Sequence, residues 1–245
     1  MQGYSVAGIK LSGNSLLLYD VVIPSTYRSV AVKGIVDQAF SSKYLRSIEI
    51  PEGVEIIGSY AFSSCSSLEK VQLPSTIVEI SSGAFDWCNN LKDINLPEGI
   101  LSIPDYCFRG CQSLTQINIS STVLSIGDGA FRGCSSLQSV NLNSVSYLGY
   151  CAFEDCVNLK SITIPDTVAT CGQDIFRGCE GLAKVYIDSA VFANSKDIGY
   201  YLKYTTDVYL RTDIETTVSI YSMAYNLLST EEINGVKYYH YQIKE

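Results

Sequence analysis

Apolar positions recur along this chain in a fixed order, at a step of about 23 residues. Seven of the eight phenylalanines form one column: Phe40, Phe62, Phe85, Phe108, Phe131, Phe153 and Phe176. Three residues after each comes Cys65, Cys88, Cys111, Cys134, Cys156 or Cys179, with Lys43 in the first repeat. A leucine follows (Leu45, Leu68, Leu91, Leu114, Leu137, Leu159, Leu182), then an aliphatic pair such as Ile48/Ile50, Ile117/Ile119 or Val185/Ile187. The period of two in each pair predicts a short strand with one face inward. A proline, as at Pro51, Pro74, Pro97 and Pro165, then ends it by removing a ladder donor. A second apolar pair, such as Ile77/Ile80 or Val123/Ile126, predicts a second extended segment on the opposite side. Gly58, Gly127, Gly149 and Gly172 are expected to turn the chain toward the Ala-Phe dipeptide.

A unit this short cannot bury its own apolar face, so successive units must stack on one core. The expected fold is a β-rich solenoid of nine strands from Val21 to Leu210, in coils of about 23 residues. The Phe and Cys positions of the last coil have decayed to Gly199 and Leu202. Residues 20–210 form the solenoid, and residues 1–19 an N-terminal cap with two strands around Gly13-Asn14. Residues 211–245 form a Tyr-rich C-terminal cap, where Asn234-Gly235 between Ile233 and Val236 signals a hairpin with a type I′ turn.

Hydrophobic residues make up 47% of the chain, enough for a sizeable core, and no apolar run reaches membrane-spanning length. A net charge of −8 disfavours nucleic-acid and anionic-membrane partners, which need a basic face. The Met1-Gln2-Gly3 start does not read as a secretory signal. One histidine, His240, leaves Ser-His and Cys-His schemes dependent on a residue inside the expected hairpin. No P-loop, G-x-S-x-G or dinucleotide motif occurs, so no enzyme and no cofactor is expected. No metal site is expected either: Cys107/Cys111 and Cys151/Cys156 lack completing ligands. The six-membered cysteine column reads as buried, free thiols, with Cys151 as an outlier in a position that holds Tyr60 and Tyr106 elsewhere.

The segments "LEKVQLPSTIVEISSGAFDWC" and "LTQINISSTVLSIGDGAFRGC" resemble the BspA-like leucine-rich repeats of surface proteins from anaerobic bacteria and some protists. The resemblance covers about residues 20–210. It implies a leucine-rich repeat stack, a cell-surface or secreted location and a binding or adhesion role. It also implies that Lys70 and Gln72 face the concave sheet.

The outward strand positions are polar. Lys70, Gln72, Asp93, Asn95, Gln116, Asn118 and Asn141 are the candidate binding residues for a protein or glycan partner. The same amides could instead form a ladder with one another, and the chain could be a structural spacer without a ligand. Trp87 stands where other coils carry Ser64, Gly110, Gly133, Asp155 and Gly178, which places it at the surface. It reads either as an aromatic anchor for a partner or as packing over the next coil's turn. Arg109, Arg132 and Arg177 recur one place after Phe and could grip a carboxylate or phosphate, solvate an edge, or pair with Glu154 or Asp155. A monomer is expected.

Overall fold

A computed structural model describes residues 4–6, 18–193, 207–211, 213 and 225–243. Among the described residues the chain winds into a solenoid whose coils feed short strands into two parallel ladders. The first ladder takes the I-x-I segments in three sheets. Tyr19–Val22, Leu45–Glu49 and Lys70–Gln72 form one, and Gln116–Ile117 with Ser139–Val140 another. The third begins with Ser161–Ile164, Lys184–Ile187 and Asp207–Arg211. The second ladder holds Tyr4–Val6, Val30–Ile35, Ile56–Ile57 and Glu79–Ile80, then Ser102–Ile103, Ser125–Ile126, Tyr147–Leu148 and Thr170–Cys171. Registers follow the repeat: Ile48 lies opposite Val71, and Ile162 opposite Val185, which faces Val208. Among the described residues, eight of the nine expected segments are strands. The ninth makes only two isolated bridges, Lys70 to Asp93 and Asn95 to Asn118.

The core is the set of repeat columns. All seven column phenylalanines are buried, and their rings stack with centroids 5.2–5.9 Å apart and planes within 15°. Backbone bonds lock the spacing: Phe62 N donates to Ala84 O at 2.8 Å and Phe131 N to Ala152 O at 2.8 Å. The cysteines add a second rail. Each column Sγ donates to the carbonyl of the Phe in the preceding coil at 3.0–3.3 Å, from Cys65 on Phe40 to Cys179 on Phe153. A thiol fits because it is nearly apolar, small and still a weak donor. All nine cysteines are free. Burial pushes the column thiols upward, Cys65 to about 11 and Cys179 to about 12. Cys151 is half-buried and is raised to about 11 by desolvation and by its bond to Glu154.

The glycines before Ala-Phe act differently from expectation. Gly58, Gly127, Gly149 and Gly172 do not adopt positive φ. They let one coil press on the backbone of the coil before it. A Cβ on Gly149 would lie 2.5 Å from Asp128 N and 2.5 Å from Gly127 C. The contact is sealed where Asp128 Oδ1 accepts Tyr150 N at 2.8 Å and Asp105 Oδ1 accepts Asp128 N at 2.8 Å. Gly149→Ala should therefore cost about 1–3 kcal/mol, as overpacking does. Urea denaturation checks this, and a loss under about 0.5 kcal/mol would mean that the coils part readily to admit a methyl.

The left-handed backbone sits elsewhere, two residues before and two after each Phe. Tyr60, Tyr106, Cys151 and Asp174 occupy the first place, with φ between 53° and 61°. Ser64, Trp87 and Asp155 occupy the second, with φ of 56–59°, alongside Gly110, Gly133 and Gly178 at 72°. These residues reverse the chain around the Phe.

The C-terminal hairpin forms as the Asn-Gly signal predicts. Tyr225–Ile233 and Val236–Ile243 are joined through Asn234 (φ 51°) and Gly235 (φ 81°). The hairpin adds to the first ladder, because Val236–Ile243 pairs antiparallel with Asp207–Arg211 and so covers that edge. His240 is packed there: its ring stacks on Tyr209 at 4.5 Å, Nδ1 lies 3.0 Å from Glu231 Oε1 and Nε2 3.2 Å from Asp207 Oδ1. At the other end Tyr4–Val6 extends the second ladder. Gly13-Asn14, Gly199 and Leu202 lie outside the described residues.

Candidate functional site

Two surfaces collect exposed polar chemistry. The first is the outward face of the first ladder. Lys70, Gln72, Asp93, Asn95, Gln116, Asn118 and Asn141 are all exposed there, because the inward half of each I-x-I pair is held by the core. In register, Ser47 lies opposite Lys70, Glu49 opposite Gln72, Lys70 opposite Asp93, Asn95 opposite Asn118 and Gln116 opposite Ser139. Among the described residues no side-chain hydrogen bond joins Gln72, Asn95 and Asn118. Asn141 turns its Oδ1 to its own strand end, accepting Asn143 N at 3.0 Å. The amide ladder is thus not formed, and these donors and acceptors face solvent.

The face is also indented. A recess of about 420 Å³ lies among Lys70, Gln72, Leu73, Asp93, Ile94 and Asn95, where the ladder is reduced to bridges. A second recess, of about 270 Å³, shares Lys70 and Gln72 and adds Asp20, Val22, Ser47 and Glu49. This N-terminal extension went unpredicted as a site. Asp20 accepts Arg46 Nε at 2.9 Å, accepts Arg46 Nη2 and takes a bond from Ser47 Oγ at 2.6 Å. The Arg46 guanidinium, helped by Ser47, holds the Asp20 carboxyl down at about 2. The sequence signal existed, in that Asp20 and Ser47 are equivalent positions of adjacent repeats.

The second surface is the ridge of turns beside the Phe column. Asp86 is 4% exposed and takes Arg109 in a fork, Nε at 2.8 Å and Nη2 at 2.6 Å. The Arg109 guanidinium lies 4.6 Å from the Tyr106 ring centroid, a cation–π contact. Arg132 Nε lies 2.8 Å from the buried Glu154, and Arg177 Nε 3.7 Å from it. The two consecutive arginines lean to opposite carboxylates, one coil back and one coil ahead, which separates like charges. Asp86 was not singled out from the sequence; it stands one repeat before Arg109, in the same repeat position.

Trp87 packs over the next coil's turn, as the second of its sequence readings expects, and it is exposed. Its indole lies against the next coil, where a Cβ on Gly110 would meet Cε3 at 2.7 Å, yet the residue is 46% exposed. Tyr60 covers Gly83 and Tyr106 covers Gly129 in the same manner. The common signal is an aromatic followed one full repeat later by glycine. Trp87 also carries a left-handed backbone, which costs a bulky side chain about 1–2 kcal/mol.

Among the described residues, no group of three His, Cys, Asp or Glu could hold a metal ion. No helix among them is long and apolar enough to cross a membrane.

Comparison with known proteins agrees with this geometry. Residues 33–156 and 102–230 match the BspA type leucine rich repeat region, in six copies. No curated protein gives a significant match. Among solved structures, the leucine rich repeat protein of T. pallidum is similar at 32% identity and TM-score 0.61, covering 66% of this chain and 77% of its own. A leucine-rich repeat protein from Bacteroides ovatus is 34% identical with TM-score 0.60, over 65% of this chain and 42% of its own. A leucine rich cell surface protein from Faecalibacterium prausnitzii is 28% identical with TM-score 0.63, over 79% and 52%. This chain therefore spans about half the length of the last two. The strand–proline–strand–turn coil, the stacked Phe column and the thiol rail lie within the matched residues, and the chain belongs to the BspA-type leucine-rich repeat family.

Proposed function

We propose that this protein is a non-enzymatic binding scaffold at the cell surface that takes a protein or glycan on the outward face of its first ladder. One observation carries the reading: Gln72, Asn95 and Asn118 stand on neighbouring coils, exposed, with their amides engaged by no other side chain among the described residues. Such amides can bond a ligand without first breaking a bond to another side chain, although ordering each costs about 0.5–1.5 kcal/mol. At the ladder spacing of about 4.8 Å, a ligand about 15–20 Å long would touch four coils. The surface location is supported by the likeness to the Faecalibacterium prausnitzii leucine rich cell surface protein.

The test is a glycan and host-protein array with wild type, repeated with Asn95→Ala/Asn118→Ala. Binding should fall about tenfold or more if these amides lie at the centre of the contact. Folding stability should hold within about 0.5 kcal/mol, as for other surface changes. Hits that survive the double substitution would remove the sheet face from consideration. An array without hits would favour a spacer that carries no ligand.

A further inference from the structure

We propose that the ridge of turns beside the Phe column is a second binding site, separate from the sheet face, and that it takes an acidic sugar. The pyranose ring lies on the exposed side of the Trp87 indole, and its carboxylate or sulfate reaches Arg109 and Arg132.

Three observations converge on this ridge. The first is that Trp87 occupies a left-handed position where Gly110, Gly133 and Gly178 stand in other coils. Ser64 and Asp155 share this left-handed position and Tyr60 and Tyr106 share the packing on glycine, but no other described coil places an aromatic here, so the fold does not require this one. Its ring is seated on Gly110, so one face is fixed and the residue remains 46% exposed.

The second is that the neighbouring cations are pre-set. Arg109 gives Nε and Nη2 to Asp86 and lies over Tyr106, which leaves Nη1 outside that fork. Arg132 is anchored through Nε, and its carbonyl accepts Gly110 N at 2.7 Å, which ties the two arginines to adjacent coils. Guanidinium groups held by buried carboxylates suit a carboxylate or sulfate, because their geometry needs no further ordering.

The third is the direction of the charges. Asp86 and Glu154 are buried, whereas the arginines that they hold reach toward solvent, so the ridge beside Trp87 turns its positive ends outward. The exposed Asp155 lies further along the ridge, on the Arg177 side. Each guanidinium is already balanced by its carboxylate, so an anion would be held by short-range hydrogen bonds to the outward N–H groups and not by a net positive field.

The platform fits a sugar better than a proline-rich peptide. A peptide of that kind needs a row of open aromatic faces. Here Tyr106 is covered by Arg109, and Tyr60 and Tyr106 are half-buried against glycines, whereas Trp87, in the turn after Phe85, is exposed. A pyranose combines a flat C–H face with an acidic substituent a few ångströms away.

The experiment is calorimetric titration of the full chain with sialyllactose, a sulfated chondroitin disaccharide, neutral lactose and a polyproline peptide. At least one acidic sugar should saturate, at about tenfold or more higher affinity than lactose. The two acids separate carboxylate from sulfate recognition. Trp87→Gly should abolish binding, with a Tm shift that reflects the indole packing lost over Gly110 set against the relieved left-handed strain. Arg132→Gln should weaken the acidic sugar and not lactose, and it carries the test if the glycine variant does not fold. Asn95→Ala/Asn118→Ala should leave acidic-sugar binding intact, so failure of the sheet-face reading and failure of this one are told apart. Absence of saturation by both acids, equal affinity for lactose, preference for the peptide, or binding that survives Trp87→Gly would each overturn the proposal.

Discussion

Raising the pH to about 10 should remove about 10 kcal/mol of folding stability, comparable with the whole stability of a typical domain. The cause is the six-thiol rail together with Cys107, which is buried beside it. Seven cysteines, at 65, 88, 107, 111, 134, 156 and 179, are buried, and desolvation raises each thiol in the folded chain. In the unfolded chain they ionise near the ordinary value of about 8.5–9. Because the folded values are the higher ones, their contribution is fully present below that pH and is lost as pH climbs. Each thiol then removes about 1.4 kcal/mol per pH unit, and seven together about 9.5. The loss levels off for Cys65 above about 11 and for Cys179 above about 12. Urea midpoints under reducing conditions at stepped pH measure it. A Cys111→Ala/Cys134→Ala variant should show a slope shallower by about 2.7 kcal/mol per unit, whatever its stability at pH 7. A profile flat to pH 10.5 would refute the ladder as drawn, as would rapid alkylation of the column in the native protein.

Phe131→Ala should cost about 3–5 kcal/mol, the usual loss for a deleted buried ring. The Phe131 ring is fully buried, stacked on Phe108 at 5.5 Å and on Phe153 at 5.3 Å. Its backbone is bonded into the next coil through Ala152 O, so neighbouring coils cannot close the cavity. Phe40→Ala, at the end of the column among the described residues, should cost less. Chemical denaturation compares the two. A loss below about 1 kcal/mol at Phe131 would mean that the ring column does not hold the stack together.

Much of this fold was legible because the repeat writes each core position six times or more. A Phe, Cys or Leu recurring once per repeat has one physical reading, an inward column in a stack. The I-x-I pairs, their prolines and the Asn234-Gly235 turn are local signals, and local geometry answered them. The outward row from Lys70 to Asn141 followed from the same period of two.

Other features depend on how one coil meets the next. The role of Gly149 is not in its own dihedral angles but in the Asp128 backbone beneath it, a neighbour that the sequence places almost a full repeat away. The break of the first ladder at Asp93–Asn95, and the recess it leaves, follow no residue change that the repeat makes obvious. Arg109 and Arg132 occupy equivalent positions, yet only the stacked structure decides that one turns back to Asp86 and the other forward to Glu154. The sequence by itself determined the period, the two strands per coil, the columns that must be buried and the hairpin at the end, because these depend on residue type and spacing alone. Tertiary structure decided which amides stay unengaged, which charges pair and which backbone positions are left-handed, because each of those is settled by contacts between coils.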